Sequence, residues 1–262
     1  FDLTVEDSVR SALDRIQPDV VINTAAKTQV DQAEEDADEC FRVNSRAVER
    51  LVEACRPRNC VLVQISTDYV FGADQSRQNP YVEEDQPGPL GVYGRSKLEA
   101  EISVAGWGKH FIVRTCGLYA ASLNGPLPGR NFVDSILVLG KDRTEMRIVS
   151  DQVCSPTYVP HLARAILFLI ETKSFGLYHI VNTGSVSWYD FAREIFRLAE
   201  FDVDCIPIPA SEYAARAPRP QRSVLDPGKY LSLGGPGLPS WRSGLADYFK
   251  QSEITRQAGC RA

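Results

Sequence analysis

The sequence predicts an α/β protein: a doubly wound parallel sheet with a smaller mixed lobe attached. Three observations point there. Short apolar runs rich in β-branched residues recur along the chain, and amphipathic stretches with helical spacing separate them. Small or hydroxyl residues follow the runs, at the strand ends where open α/β sheets bind ligands.

The strands are D-V-V-I-N (Asp19–Asn23), C-V-L-V-Q-I-S (Cys60–Ser66), H-F-I-V-R-T (His110–Thr115) and G-L-Y-H-I-V-N (Gly176–Asn182). Their nearly continuous apolar character fits strands covered on both faces, as in a parallel sheet. Between them, Asp7–Ile16 repeats Val9, Leu13 and Ile16 at helical spacing. Val43–Cys55 sets Val43, Ala47, Val48, Leu51 and Val52 on one face, and Ser96–Val104 carries Leu98 and Ile102. Beyond Thr115 the character changes. Ala121–Arg130 reads as a Gly/Pro-rich loop, Asn131–Leu139 and Tyr158–Ile170 as helices, and Ser187–Ala199 as a helix capped by Ser187. Pro207–Gly237 is rich in Pro and Gly with little periodicity. This reading divides the chain into residues 1–117 with 156–200, and 118–155 with 201–262.

A net charge of −5 and an apolar fraction of 44% describe an ordinary soluble domain and argue against a nucleic-acid partner, which calls for a basic face. The seven Cys form no C-x-x-C and have no His at metal-ligand spacing, so free thiols in a reducing, cytoplasmic compartment are expected, with no metal site. No apolar run is long enough to span a membrane, and no signal peptide is expected. The opening F-D-L-T enters a helical pattern at once and lacks Met, as in an N-terminally truncated chain.

The chemistry gathers at the strand ends. Asn23 is followed by T-A-A-K-T, whose Thr24, Ala25 and Ala26 leave room for a flat cofactor near the backbone. The second strand runs into S-T-D-Y-V-F, which brings the hydroxyls of Ser66 and Thr67 and the carboxylate of Asp68 to its end; the third runs into T-C-G-L-Y. Y-G-R-S-K (Tyr93–Lys97) follows Pro89 and Gly91, so Tyr93 and Lys97 fall in the first turns of a helix, on one face at i, i+4. A nearby ammonium lowers a tyrosine's pKa, and such a tyrosine passes a proton to a carbonyl oxygen during hydride transfer while Thr67 holds that oxygen. His110, His161 and His179 lack a partner pattern and read as structural or exposed. The acidic run Asp31–Glu39 reads as a solvated helix face, with Asp31 alone a candidate for substrate contact. Cys116 reads as a buried thiol rather than a nucleophile, Trp188 and Trp241 as packing aromatics, and the stretch at Gly234 as a loop.

N-T-A-A-x-T-x-V-D-x-A-E (Asn23–Glu34), S-T-D-Y-V-F (Ser66–Phe71) and V-Y-G-R-S-K-L-x-x-E (Val92–Glu101) resemble the extended short-chain dehydrogenase/reductases. G-R-N-F-V (Gly129–Val133), D-Q-V-C-S-P-T-Y (Asp151–Tyr158), R-P-Q-R-S-V-L-D (Arg219–Asp226) and L-P-S-W-R-S-G-L (Leu238–Leu245) narrow the resemblance to the dTDP-4-dehydrorhamnose reductase family, from Asp2 to about Phe249. The resemblance implies a Rossmann-like cofactor lobe and a substrate-binding lobe. It also implies NADPH as cofactor, with NADH the alternative, and reduction of dTDP-4-dehydro-L-rhamnose to dTDP-L-rhamnose for cell-surface polysaccharide. Tyr93 would donate the proton, Lys97 would orient the nicotinamide ribose and tune Tyr93, and Thr67 would bind the sugar carbonyl. Asp2 and Leu3 would lie beside the adenine, Ala25, Ala26 and Thr28 would line the cofactor, and Asn44 would sit close behind it. Arg219, Asp68 and the Gly129–Phe132 segment with Asn131 would face the sugar nucleotide, and a homodimer is expected.

The family's strand–G-x-x-G-x-x-G unit, which binds the pyrophosphate, is not in this sequence. Cys116 and Gly117 stand where the family tends to have Ser and Trp, Cys154 where Gly is usual, and Lys27 where an aromatic or His is usual. A sugar-nucleotide epimerase or dehydratase of the same superfamily is the alternative enzyme, although a dehydratase usually carries an acidic pair after the Thr and this chain has Asp68–Tyr69. A binding subunit like the regulatory subunit of methionine adenosyltransferase is the non-catalytic alternative.

Overall fold

A computed structural model describes residues 1–121 and 131–259; the expected loop Ala121–Arg130 falls almost wholly outside them. Four parallel strands form the main sheet in the order Val20–Asn23, Val61–Thr67, His110–Thr115, Gly176–His179. Thr67 stands opposite Thr115 and Asn23 opposite Gln64, so the carboxyl ends of the strands gather along one edge. The last strand is shorter than expected, ending at His179 rather than Asn182.

The continuous apolar runs arise because successive side chains serve opposite faces of the sheet. Leu62 and Ile112 pack with Val9, Leu13, Val48, Leu51 and Val52 on one face. Their neighbours Val63, Phe111 and Val113 pack with Leu162, Ala165, Ile166 and Leu169 on the other. The first face is covered by the helices Glu6–Ile16, Ala47–Cys55 and Val92–Ala105, and the second by Val159–Thr172.

The helix that starts at Val92 carries Tyr93 and Lys97 in its first turns, as expected. Its buried face differs from the expected one: Ile102 is exposed, whereas Lys97, Ala100, Glu101 and Val104 are buried. The polar residues are buried because they have partners. Arg114 donates to Glu101 through Nε (3.0 Å) and Nη2 (2.7 Å), and the Ser66 hydroxyl donates to the same carboxylate at 2.5 Å. The expected helix Val43–Cys55 opens as a π-helical turn, Arg42–Arg46, before Ala47–Cys55.

The second lobe is built around Tyr119, Val133, Ile136, Leu137, Met146 and Ile148. The helix Trp188–Ala199, with Ser187 accepting from the Asp190 N–H as its cap, was expected in the first lobe. It packs in the second: Phe191, Ala192, Ile195 and Phe196 enter this core, and a Cβ on Gly140 would lie 2.3 Å from the Phe196 ring, so the two helices touch closely. The segment after Phe201 also holds a strand the sequence pattern hides, Asp204–Ile208, paired in parallel with Glu145–Val149. Pro207 and the two-stranded edge setting explain the weak signal.

The six described cysteines are free thiols, and no helix among the described residues is long and apolar enough to cross a membrane. His179 is buried in the framework, its Nδ1 on the Tyr81 carbonyl and its N–H on Glu83; burial pulls its pKa down to about 3. His161 lies between Asp247 and Asn182, and Trp241 is a core aromatic.

Removing one partner of a buried ion pair strands the other. Glu101→Ala is therefore expected to lower the unfolding free energy by about 3–5 kcal/mol in urea titration, far more than an exposed carboxylate on the same helix would.

Candidate active site

Tyr93, Lys97 and Thr67 meet at the carboxyl end of the second strand. Lys97 is buried and its ammonium donates to the Ile65 carbonyl at 2.7 Å. The Thr67 hydroxyl lies close enough to the Tyr93 phenol to favour its ionised form. Thr67 Oγ1 also accepts the Tyr69 N–H at 3.2 Å and donates to Asp68 Oδ1 at 3.2 Å. Tyr69 packs edge-on against Tyr93, with ring centroids 5.8 Å apart. Gly94 is required by the close approach, since a Cβ there would sit 2.2 Å from the Tyr69 carbonyl oxygen.

The electrostatics differ from the simple expectation for a Tyr–Lys pair. Burial drives the Tyr93 phenol up, and the Thr67 hydrogen bond draws it partly back. Burial pulls Lys97 down to about 8, against the upward pull of Glu101. Lys97 is thus a costly buried cation with a single protein acceptor among the described residues, and its remaining N–H groups suit hydroxyls of a bound ribose.

Thr24, Ala25 and Thr28 are exposed beyond the first strand, and the Ala25 N–H is held by Asn23 Oδ1 at 3.1 Å. Asn44 is fully buried behind them. Its Oδ1 accepts the Lys27 N–H at 2.8 Å, and its Nδ2 donates to the Lys27 carbonyl (3.0 Å) and to Ser96 Oγ (3.1 Å). Asn44 thereby ties the small-residue loop to the helix of Tyr93, and it does so from the π-helical turn, a distortion frequent at functional sites. Asp2 is exposed with its carboxylate on Thr4, while Leu3 packs into the first-face core. The exposed small residues and the buried ammonium fit a flat nicotinamide and its ribose.

Of the substrate-side residues, Asp68 is buried with Ser223 Oγ donating to Oδ2 at 2.5 Å, and burial pushes its carboxyl up. Its oxygens serve Thr67 and Ser223, so it braces the site from behind. Asn131 caps the helix Phe132–Gly140 by accepting the Asp134 N–H at 2.9 Å. Gly129 and Arg130 lie outside the described residues. Arg219 is paired with Asp31 through Nη1 (3.2 Å) and Nη2 (2.8 Å). Asp31, a candidate for substrate contact, is thus engaged by protein. The Cys116 thiol is buried, which pushes it well above the ordinary thiol range and fits an inert role. Sequence reasoning missed Ser223 and Ser96; no local pattern marks a serine whose partner lies 155 residues away.

The chain as a whole is similar to known proteins. Residues 1–254 match a family model described as the RmlD substrate binding domain. A dTDP-4-dehydrorhamnose reductase of Sinorhizobium fredii is 36% identical over 92% of this chain and 83% of its own. The chain belongs to the dTDP-4-dehydrorhamnose reductase family. The spore coat polysaccharide biosynthesis protein SpsK of Bacillus subtilis is 35% identical over 96% of this chain and 86% of its own. A Bacillus anthracis dTDP-4-dehydrorhamnose reductase solved in complex with NADP superposes with a TM-score of 0.90 at 38% identity, covering 96% of this chain and 87% of that one. The UDP-glucose 4-epimerase of Thermus thermophilus, at 20% identity and a TM-score of 0.78, shares the fold.

Folding lowers the pKa of Lys97 from 10.5 to about 8, so between these values the unfolded chain holds more protons and stability rises with pH. Relative to Lys97→Met, the wild type is expected to gain about 2 kcal/mol between about pH 8 and pH 10 in denaturant titrations. A constant difference across that range would refute a buried, weakened ammonium.

Proposed function

We propose that this protein reduces the 4-keto group of dTDP-4-dehydro-L-rhamnose to give dTDP-L-rhamnose, a reaction serving cell-surface polysaccharide synthesis. The observation that carries it is the convergence of Tyr93, Thr67 and Lys97 at one strand end, in a chain similar to reductases of that name. NADPH bound along the Thr24–Thr28 loop supplies the hydride; NADH is the alternative.

The chain's own residues do the rest. Thr67 and Tyr93 present two hydroxyls to the carbonyl oxygen, and the Tyr93 O–H gives its proton as negative charge develops there. A raised phenol pKa keeps Tyr93 protonated and ready to donate at neutral pH. Lys97 places a positive charge beside the forming phenolate and holds ribose hydroxyls with its free N–H groups. Asn44 positions the small-residue loop, with Asp2 and Leu3 toward the adenine end, and Ala25, Ala26 and Thr28 lie against the cofactor. Arg219, Asn131 and Asp68 form or brace the sugar-nucleotide side, which belongs to the lobe around Glu145–Val149 and Asp204–Ile208. The free thiols suit a cytoplasmic setting, and a homodimer belongs to the same reading. A dehydratase is disfavoured by Tyr69, which packs edge-on against Tyr93 where a second carboxylate would stand.

The test is NADPH oxidation with dTDP-4-dehydrorhamnose. Turnover is expected, with a loss of about 10²–10⁴-fold in kcat for Tyr93→Phe. Turnover unaffected by Tyr93→Phe would remove Tyr93 from the reaction, and no turnover even with a strand–G-x-x-G-x-x-G unit restored upstream would overturn the reductase reading.

A further inference from the structure

The acidic run that starts at Asp31 faces two functional elements. In the short helix Val30–Glu35, Asp31 and Glu34 lie three residues apart and so share a side. The Asp31 carboxylate accepts four hydrogen bonds from one loop of the second lobe: the N–H groups of Arg216 (3.1 Å) and Ala217 (2.9 Å), and both Nη atoms of Arg219. Glu35 adds an ion pair with Arg216. Glu34 turns to a different partner. Its Oε1 accepts the Val92 N–H at 2.7 Å.

Val92 opens the helix of Tyr93, and its N–H is one of the donors a helix start leaves unpaired. The residue in the capping position, Gly91, has no side chain with which to cap. Glu34 therefore supplies the cap from 58 residues away, placing a carboxylate at the positive end of the helix. Gly91 is necessary to this contact: a Cβ there would fall 2.6 Å from Glu34 Oε1 and 3.7 Å from Pro218. The entrance to the catalytic helix thus touches both Glu34 and the loop of Arg219.

We propose that the helix Val30–Glu35 registers the substrate-side loop against the catalytic helix, with Asp31 a positioning residue for Arg219 and Glu34 a positioning residue for Tyr93. The roles of Arg219 and Tyr93 rest on the reductase reading. The two carboxylates divide the work: Asp31 sets where the sugar nucleotide is gripped, and Glu34 sets where the proton donor stands.

The division predicts a split in kinetics. Asp31→Asn is expected to raise KM for dTDP-4-dehydrorhamnose about tenfold with kcat within about twofold, and Glu34→Gln to lower kcat about tenfold with KM within about twofold. In an Arg219→Ala background, Asp31→Asn is expected to add no further change in KM. A full additional rise in that background, or kcat and KM moving together in both variants, would overturn the assignment. The same cycle measured as dTDP affinity by calorimetry needs no turnover, so it is separable from the reductase reading; equal dTDP affinity of wild type and Asp31→Asn would likewise overturn it.

Discussion

A lysine ammonium buried against a main-chain carbonyl is the contact on which the site depends. Lys97 reaches the Ile65 oxygen from the helix Val92–Ala105, and its neighbours one turn away do the same for the next residues of that strand. Glu101 meets the Ser66 hydroxyl, and Tyr93 meets Thr67. Residues 93, 97 and 101 lie on one helical face and bind three consecutive strand residues. The helix is held to the sheet through these polar groups as well as through Ala100 and Val104, and each polar group must be satisfied or pay its desolvation. That requirement sets the depth and rotation of the helix, and hence the position of the phenol.

Around this contact the chain arranges support in layers. Asp68 stands behind Thr67 and is itself held by Ser223, so a residue 155 positions away braces the strand end from which the Thr67 hydroxyl projects. Asn44 ties the cofactor-side loop to Ser96, whose hydroxyl also donates to the Tyr93 carbonyl at 2.8 Å. Glu34 caps the same helix at its start. Several buried hydrogen bonds of distant origin thereby converge on one helical turn, which fits a site whose reacting groups must keep their geometry to fractions of an ångström.

Burial also decides the acid–base character. A free tyrosine and lysine at i, i+4 would be read as a pair in which the ammonium lowers the phenol. In this site both groups are shielded from water, so the neutral form of each is favoured: Tyr93 moves up and Lys97 down. The result is a phenol that stays protonated beside an amine whose charge is easily influenced by what binds next to it.

Much of this was determined by the sequence alone. The four apolar runs specify buried parallel strands, because residues serving two covered faces must all be apolar. The spacing of Tyr93 and Lys97, with Thr67 at a strand end, is the signal that points to carbonyl-reduction chemistry, and it is readable because both parts are local in the chain. The helix Trp188–Ala199 was legible as a helix but not as a member of the second lobe, since periodicity reports that a face is buried and not against what. The strand Asp204–Ile208 was hidden by Pro207 and by having one partner only. Glu34 read as part of a solvated acidic face and Asp31 as a substrate contact, and only the tertiary structure gave them the Val92 N–H and Arg219, at separations of 58 and 188 residues. Local pattern records what a residue requires of its surroundings; which distant group meets the requirement is decided only when segments far apart in the chain pack together.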